Sequence, residues 1–303
     1  MSSASPVPTL ATVYLRQILT AILWGGTWIA GRVAVQELAP LTVGAWRYLL
    51  ASLCLGALVW WREGGLPWLK PREWLTLALA GSIGIALYNL CFLYGLQRIE
   101  AGRGALVVAL NPVLVALLAW LFGGEGMNGR KAAGILTALA GCLLVIGKGE
   151  PQALLRGDVG VGELLIVGCV LCWTVYTFVG RRATTTRSPL VATFYASLIG
   201  GILLWLAALT QPETLWPGAL WRGWTAILFL GLFGTALAFT WYAEGVQRLG
   251  AGRAAAFINL VPVAAVLLAA WLLGERLILA ELAGGALVLL GVTLTNTAPR
   301  RRN

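Results

Sequence analysis

Gln97–Arg98–Ile99–Glu100–Ala101–Gly102–Arg103 returns as Gln247–Arg248–Leu249–Gly250–Ala251–Gly252–Arg253, 150 residues on, with five of seven residues identical. Working outward at that offset, Pro112 returns as Pro262, Gly124–Glu125 as Gly274–Glu275, and Ala133–Gly134 as Ala283–Gly284. From Arg72 to Gly141, 25 of 70 positions are identical to their partners. Further upstream the offset becomes 149: Trp24 pairs with Trp173, Gly31–Arg32 with Gly180–Arg181, and Pro40 with Pro189. One residue is therefore gained between the two blocks, and the duplication covers nearly the whole chain. A unit repeated inside apolar sequence is the mark of a transporter built from repeats.

The chain of 303 residues is 59% hydrophobic and 11% charged, with mean hydropathy +0.83. A soluble domain of this size cannot hide that much apolar surface, so lipid is the expected solvent for most of it. The net charge of +10 lies between apolar runs, where cations set orientation and meet anionic headgroups. No basic stripe or soluble domain exists to carry nucleic-acid binding. Histidine is absent, which removes imidazole as relay, metal ligand or base. Cys54, Cys91, Cys142, Cys169 and Cys172 all fall in apolar runs. The Cys169-x-x-Cys172 spacing matches a redox motif, but a thiol in lipid usually acts as a small hydrophobe. No Walker-type phosphate loop and no nucleophile or metal constellation is present, so neither direct ATP drive nor an enzyme is expected, and no cofactor.

About ten apolar spans of bilayer-crossing length can be drawn, near 14–36, 40–61, 72–97, 101–123, 129–147, 159–180, 189–209, 221–247, 251–273 and 278–297. The expected architecture is an all-α polytopic membrane protein of ten transmembrane helices. It comprises a short Ser/Pro-rich N-terminus (1–13), a first repeat (14–147), a linker (148–158), a second repeat (159–297) and a basic tail (298–303). The first apolar run shows no convincing cleavage site and reads as a retained helix. Five spans per copy force the second copy to enter from the opposite side, so the repeats are inverted. With both ends inside, inner segments hold fourteen Lys and Arg and outer segments seven, while Arg47 lies alone within the second span. That bias favours cytoplasmic termini. It places Gln97–Arg103 outside and Gln247–Arg253 inside.

Pro112 and Pro262 stand mid-span in matched helices. Proline removes a donor and frees the carbonyl four residues earlier, so both are expected to bend their helices beside a central path and act in gating. Asn111, Asn259 and Asn89 are amides at membrane depth, where each needs a helix, water or substrate partner. Many of the 15 tryptophans mark span ends: Trp60, Trp61, Trp68, Trp74, Trp216, Trp221 and Trp224 read as an interfacial belt. A deeper set comprises Trp24 and Trp28, Tyr88, Trp173 and Tyr176, and Trp241. Across a repeat interface these would line an apolar, ring-stacking or cation-accepting pocket; ordinary packing is the alternative for each. Gly81/Gly231, Gly84/Gly234 and Gly95/Gly245 are spaced to share one helical face. Glu244 stands four residues before Arg248, a helical ion-pair spacing, although a proton-coupling carboxylate there is the alternative. Glu125 and Glu275 precede the fifth and tenth helices, where a carboxylate suits the positive helix end.

Trp24–Gly25–Gly26–Thr27–Trp28, then Pro40, then Trp46–Arg47, resembles the start of an EamA repeat of the drug/metabolite transporter superfamily. Gly274–Glu275 followed by Gly284–Gly285 and Gly291–Val292 resembles the end of one. The resemblance spans about 14–147 and 163–297. The second copy departs at Trp173–Thr174–Val175, where the paired glycines are missing, and the first at its Met127–Asn128–Gly129 loop. The resemblance implies ten helices in inverted five-helix repeats, termini inside, and export of small metabolites by alternating access. Substrates within the family include amino acids, purines and drugs; the deep aromatics fit amino acids, aromatic ones in particular, or amphipathic drugs. The expected partners are a small-molecule substrate and the lipid bilayer of the cell membrane. A passive channel or a non-transporting receptor is the competing reading.

Overall fold

The computed structural model describes residues 9–123, 126–150, 159–183, 187–212, 215, 216, 218 and 221–296. Among these the structure is helical, with no strand. Ten rods cross in the expected order: α1 (Leu10–Glu37), α2 (Pro40–Glu63), α3 (Pro71–Leu96), α4 (Ala101–Leu121), α5 (Gly129–Ile146), α6 (Val161–Gly180), α7 (Pro189–Ala208), α8 (Trp221–Leu249), α9 (Arg253–Leu273) and α10 (Leu279–Thr295). Nine are long and apolar enough to cross a membrane, and α10 is shorter. The predicted 1–8 of the N-terminus, the linker over 151–158 and the tail lie outside the described residues.

Local chemistry sets the boundaries. Pro40, Pro71 and Pro189 occupy first turns, where a missing N–H costs nothing. Asn128 Oδ1 accepts from Lys131 N at 2.8 Å and Ser188 Oγ from Val191 N at 3.4 Å, satisfying donors at helix starts. Gly250 ends α8 with an extended positive-φ turn (φ 85°, ψ 153°) that only glycine adopts readily, and Gly274 ends α9 in the left-handed conformation (φ 67°).

Matched helices pack antiparallel. In α5 and α10, a Cβ on Gly141 would lie 2.5 Å from the Gly284 carbonyl, and one on Gly134 2.7 Å from the Gly291 carbonyl. Only glycine lets these backbones touch. In α2 and α7, Gly44 faces Leu204, Tyr48 faces Gly201, and Gly56 faces Phe194. Equivalent helices running opposite ways are the direct expression of an inverted repeat. The remaining neighbours follow the same symmetry: α1 lies on α8 and α9, and α6 on α3 and α4.

Helix geometry changes at five places: two breaks, a widened turn at Ala269–Leu273 that ends α9, and two matched widened turns. In α3 (Ala80–Leu87) and α8 (Phe229–Leu237) the turns widen to i→i+5 geometry at matched positions. Such bulges are rare in helices and concentrate at functional sites. The widening splits the expected single glycine face. Gly81 meets α7, whereas Gly84 and Gly95 meet α6; Gly231 meets α2, whereas Gly234 and Gly245 meet α1. Near the prolines the helical path of α4 breaks between Val108 and Asn111, its second part running on to Gly123, and that of α9 breaks at Asn259, its first part beginning at Ala251.

Most of the tryptophan belt is exposed, Trp68 by 90%. Trp224 departs from it: it is half-buried and packs edge-on against Trp46 at 5.3 Å, beside Trp205 and Trp216.

Candidate functional site

The most unusual residue in the bundle is Arg47 on α2, only 6% exposed and bonded to neutral groups alone. Its Nη1 donates to Asn89 Oδ1 at 2.9 Å, and its Nε and Nη2 both donate to Thr235 Oγ1 at 3.3 Å. The guanidinium carbon lies 5.1 Å from the Tyr48 ring centre and 6.0 Å from that of Phe92. Asn89 is fully buried; its amide nitrogen donates to Tyr48 Oη at 3.0 Å and to the Ile85 carbonyl at 2.8 Å. The Thr235 hydroxyl donates to the Leu230 carbonyl, five residues back, at 2.8 Å. Ile85 and Leu230 belong to the two widened turns. The bulges therefore supply the carbonyls that orient both partners of Arg47, and the two repeats contribute one each.

Aromatic rows flank this polar cluster. On α1 and α8, Trp24 packs on Phe239 at 5.3 Å and on Tyr242 at 5.2 Å, and its indole N–H donates to the Gly234 carbonyl at 3.1 Å. That carbonyl precedes Thr235. On α3 and α6, Tyr88 packs on Trp173 at 6.0 Å, Trp173 on Tyr176 at 5.5 Å, and Tyr88 stacks on Phe92. Tyr176 lies against Gly84 in the widened turn, where any Cβ would collide with its ring. Phe92 joins this row to Arg47.

The other predicted positions fall elsewhere. Trp28 is buried in the core, edge-on to Phe92 at 5.0 Å and over Gly104. Trp241 meets α1 through its carbonyl, which accepts from Gln17 Nε2 at 2.7 Å; Phe239 and Tyr242 meet Trp24 instead. Asn111 starts the second part of α4 with a buried Oδ1 that accepts no hydrogen bond. Asn259 sits half-buried at the break in α9, its N–H donating to the Ala256 carbonyl at 3.3 Å. Pro112 follows the break at 109–110 by two residues, and Pro262 the break at 259 by three. Arg47, Thr235, Tyr48, Phe239 and Tyr242 were absent from the expected site. Arg47 alone carried a signal, as a cation seven residues inside the second span and away from the charged connections, and an ionisable residue there is a functional candidate by default.

Ion pairs close the end of the bundle at the start of α4. Arg103 is buried against Glu163 of α6 and lies 3.8 Å from Glu281 of α10. Glu275 was expected at the start of α10; it instead accepts from the N–H groups of Ala101 and Gly102, each at 2.9 Å. A carboxylate of the second repeat thus caps a helix of the first. Its counterpart Glu125 lies outside the described residues. At the other end, Glu244 pairs with Arg16 of α1 at 2.6 Å, not with Arg248. The α1–α8 packing brings Arg16 closer than the helical spacing does. Arg253, the counterpart of Arg103, is exposed.

Residues 11–147 and 160–297 each match the EamA-like transporter family. The chain is 29% identical to the uncharacterized transporter YyaM of Bacillus subtilis, over 92% of each chain. It is 30% identical to the uncharacterized inner membrane transporter YedA of Escherichia coli, over 90% of this chain and 87% of that one. It is 28% identical, over 94% of each, to a probable terminal-alkyne amino-acid exporter of Streptantibioticus cattleyicolor. A solved crystal structure, 22% identical, shares the fold with a TM-score of 0.65 over 97% of this chain and all of the other.

Proposed function

This chain is a member of the EamA-like transporter family, and from that membership and its site we propose a secondary transporter that exports small metabolites by alternating access. Amino acids, aromatic ones in particular, are the substrates the site favours. The observation that carries the reading is an asymmetry between matched parts. Arg103 is buried in an ion-pair cluster at the start of α4, while Arg253 at the start of α9 is exposed. Alternating access requires two ends that exchange such states around one site. Pro112 and Pro262 are the bends about which the half-helices move. Trp24, Tyr88, Asn89, Trp173 and Tyr176 line the substrate path, with Asn111, Asn259 and Trp241 at its ends and Trp28 supporting it. The relative from Streptantibioticus cattleyicolor supports an amino-acid substrate. The cation distribution supports cytoplasmic termini, and the inner-membrane relative a cytoplasmic-membrane location.

Counterflow in proteoliposomes tests this. Labelled phenylalanine, tryptophan, threonine and a quaternary ammonium ion are offered against unlabelled internal substrate. Saturable, trans-stimulated uptake of the aromatic amino acids is expected. Linear flux without trans-stimulation identifies a channel, and no aromatic amino-acid movement removes that substrate class.

A further inference from the structure

We propose that Arg47, held by Asn89 and Thr235, is a carboxylate-binding subsite, so that the substrates of this protein are small molecules joining a carboxylate to an apolar or aromatic body. This rests on the transport reading above and names its substrate class. The argument begins with charge. An arginine at the centre of a membrane helix costs about 3 kcal/mol to insert. Hydrogen bonds to a charged group return about 1.5–3 kcal/mol each, so the three that Arg47 makes offset that cost without an acid. Among the described residues no carboxylate reaches it: the ion pairs of Glu163, Glu244 and Glu281 lie at the helix ends. A positive charge therefore stays unneutralised in the bundle interior.

Its geometry is set in advance. A guanidinium has five N–H donors. The contacts with Asn89 and Thr235 use three, leaving one N–H on each terminal nitrogen to donate to a carboxylate. Asn89 and Thr235 cannot swing away, because each is tied to a carbonyl in a widened turn. Phe92, beside the guanidinium, continues into Tyr88, Trp173 and Tyr176. A ligand whose carboxylate meets Arg47 would lay its apolar part along this row. The repeats are unequal here: Ala196 holds the position matched to Arg47 and Phe239 that matched to Asn89. One carboxylate per binding event follows.

Purified full-length protein in detergent is titrated with phenylalanine, threonine, phenylacetate and phenylalaninamide, with thermal shift and calorimetry as readouts. At least one carboxylate is expected to bind tenfold or more tightly than the amide. Asn89→Asp is the decisive variant, since it places a resident carboxylate at the oxygen that Arg47 already donates to. It exchanges the amide's donation to the Ile85 carbonyl for an ion pair with Arg47, and is expected to weaken carboxylate binding at least tenfold without weakening that of the cationic amide, with a cooperative melting transition confirming the fold. Arg47→Lys, which keeps charge and loses the fork, is expected to fall between. Equal binding of acid and amide, unaltered carboxylate binding in Asn89→Asp, or protection by chloride equal to that by phenylalanine overturns the proposal. Carboxylate binding without counterflow overturns the transport reading and leaves the subsite standing. Counterflow of the quaternary cation alone does the reverse.

Discussion

Trp24 and Trp28 stand one turn apart on α1 and look alike in sequence, yet their surroundings assign them different work. Trp28 is wedged between Phe92 and Gly104 in the core. Truncating a buried tryptophan costs about 3–5 kcal/mol, so Trp28→Ala is expected to lower the melting temperature and the folded yield together. An unchanged melting temperature would show that the ring is not core. Trp24 is half-buried, with one indole bond to the Gly234 carbonyl. Trp24→Phe gives up that bond, worth about 1 kcal/mol, and keeps a ring against Phe239 and Tyr242. The expected outcome is near-normal melting with a several-fold higher KM for aromatic substrate in counterflow. Arg47 makes the same point from the other side. Its burial was legible as an arginine seven residues inside an apolar span, but its partners Asn89 and Thr235 lie 42 and 188 residues away, and no periodicity links them.

Among the elements, the breaks in α4 and α9 were readable because proline acts locally, through its own missing N–H and the ring's clash with the previous turn. The widened turns in α3 and α8 were not. Glycine at 81, 84, 231 and 234 permits them, but whether a turn widens depends on what presses against it, here Tyr176 and Thr27. Glu275 shows the same limit. A carboxylate before a helix was expected to serve that helix, yet it caps α4 of the other repeat, because the symmetry axis brings that N-terminus closer. Charge-assisted bonds of this type contribute about 1.5–3 kcal/mol. Glu275→Gln is therefore expected to raise amide hydrogen exchange over Ala101–Val108 about tenfold or more, measured by mass spectrometry, with α7 unchanged as the internal control. Protection equal to wild type would remove Glu275 from the closure.

For the whole molecule, five spans per copy and the two-fold excess of cations on one side predict both termini in the cytoplasm. A C-terminal green fluorescent protein fusion is expected to fluoresce, and a C-terminal alkaline phosphatase fusion to be inactive. An active phosphatase would invert the assignment. The packing that holds the two copies together is antiparallel contact between equivalent helices, through Gly134 and Gly141 of α5 against Gly291 and Gly284 of α10. Those glycines appeared in the duplication itself. Which helix each one faced did not.

Sequence alone determined the solvent, the span boundaries, the duplication and its inversion. Each depends on local composition, on chain order, or on counting an odd number of crossings. Tertiary structure alone decided which deep residues come together. It drew Arg47, Asn89 and Thr235 from three helices into one cluster and sent Trp28 to the core. It also gave Glu244 and Glu275 to distant partners, because side-chain contacts across a bundle depend on helix rotation and crossing, which a linear pattern does not encode.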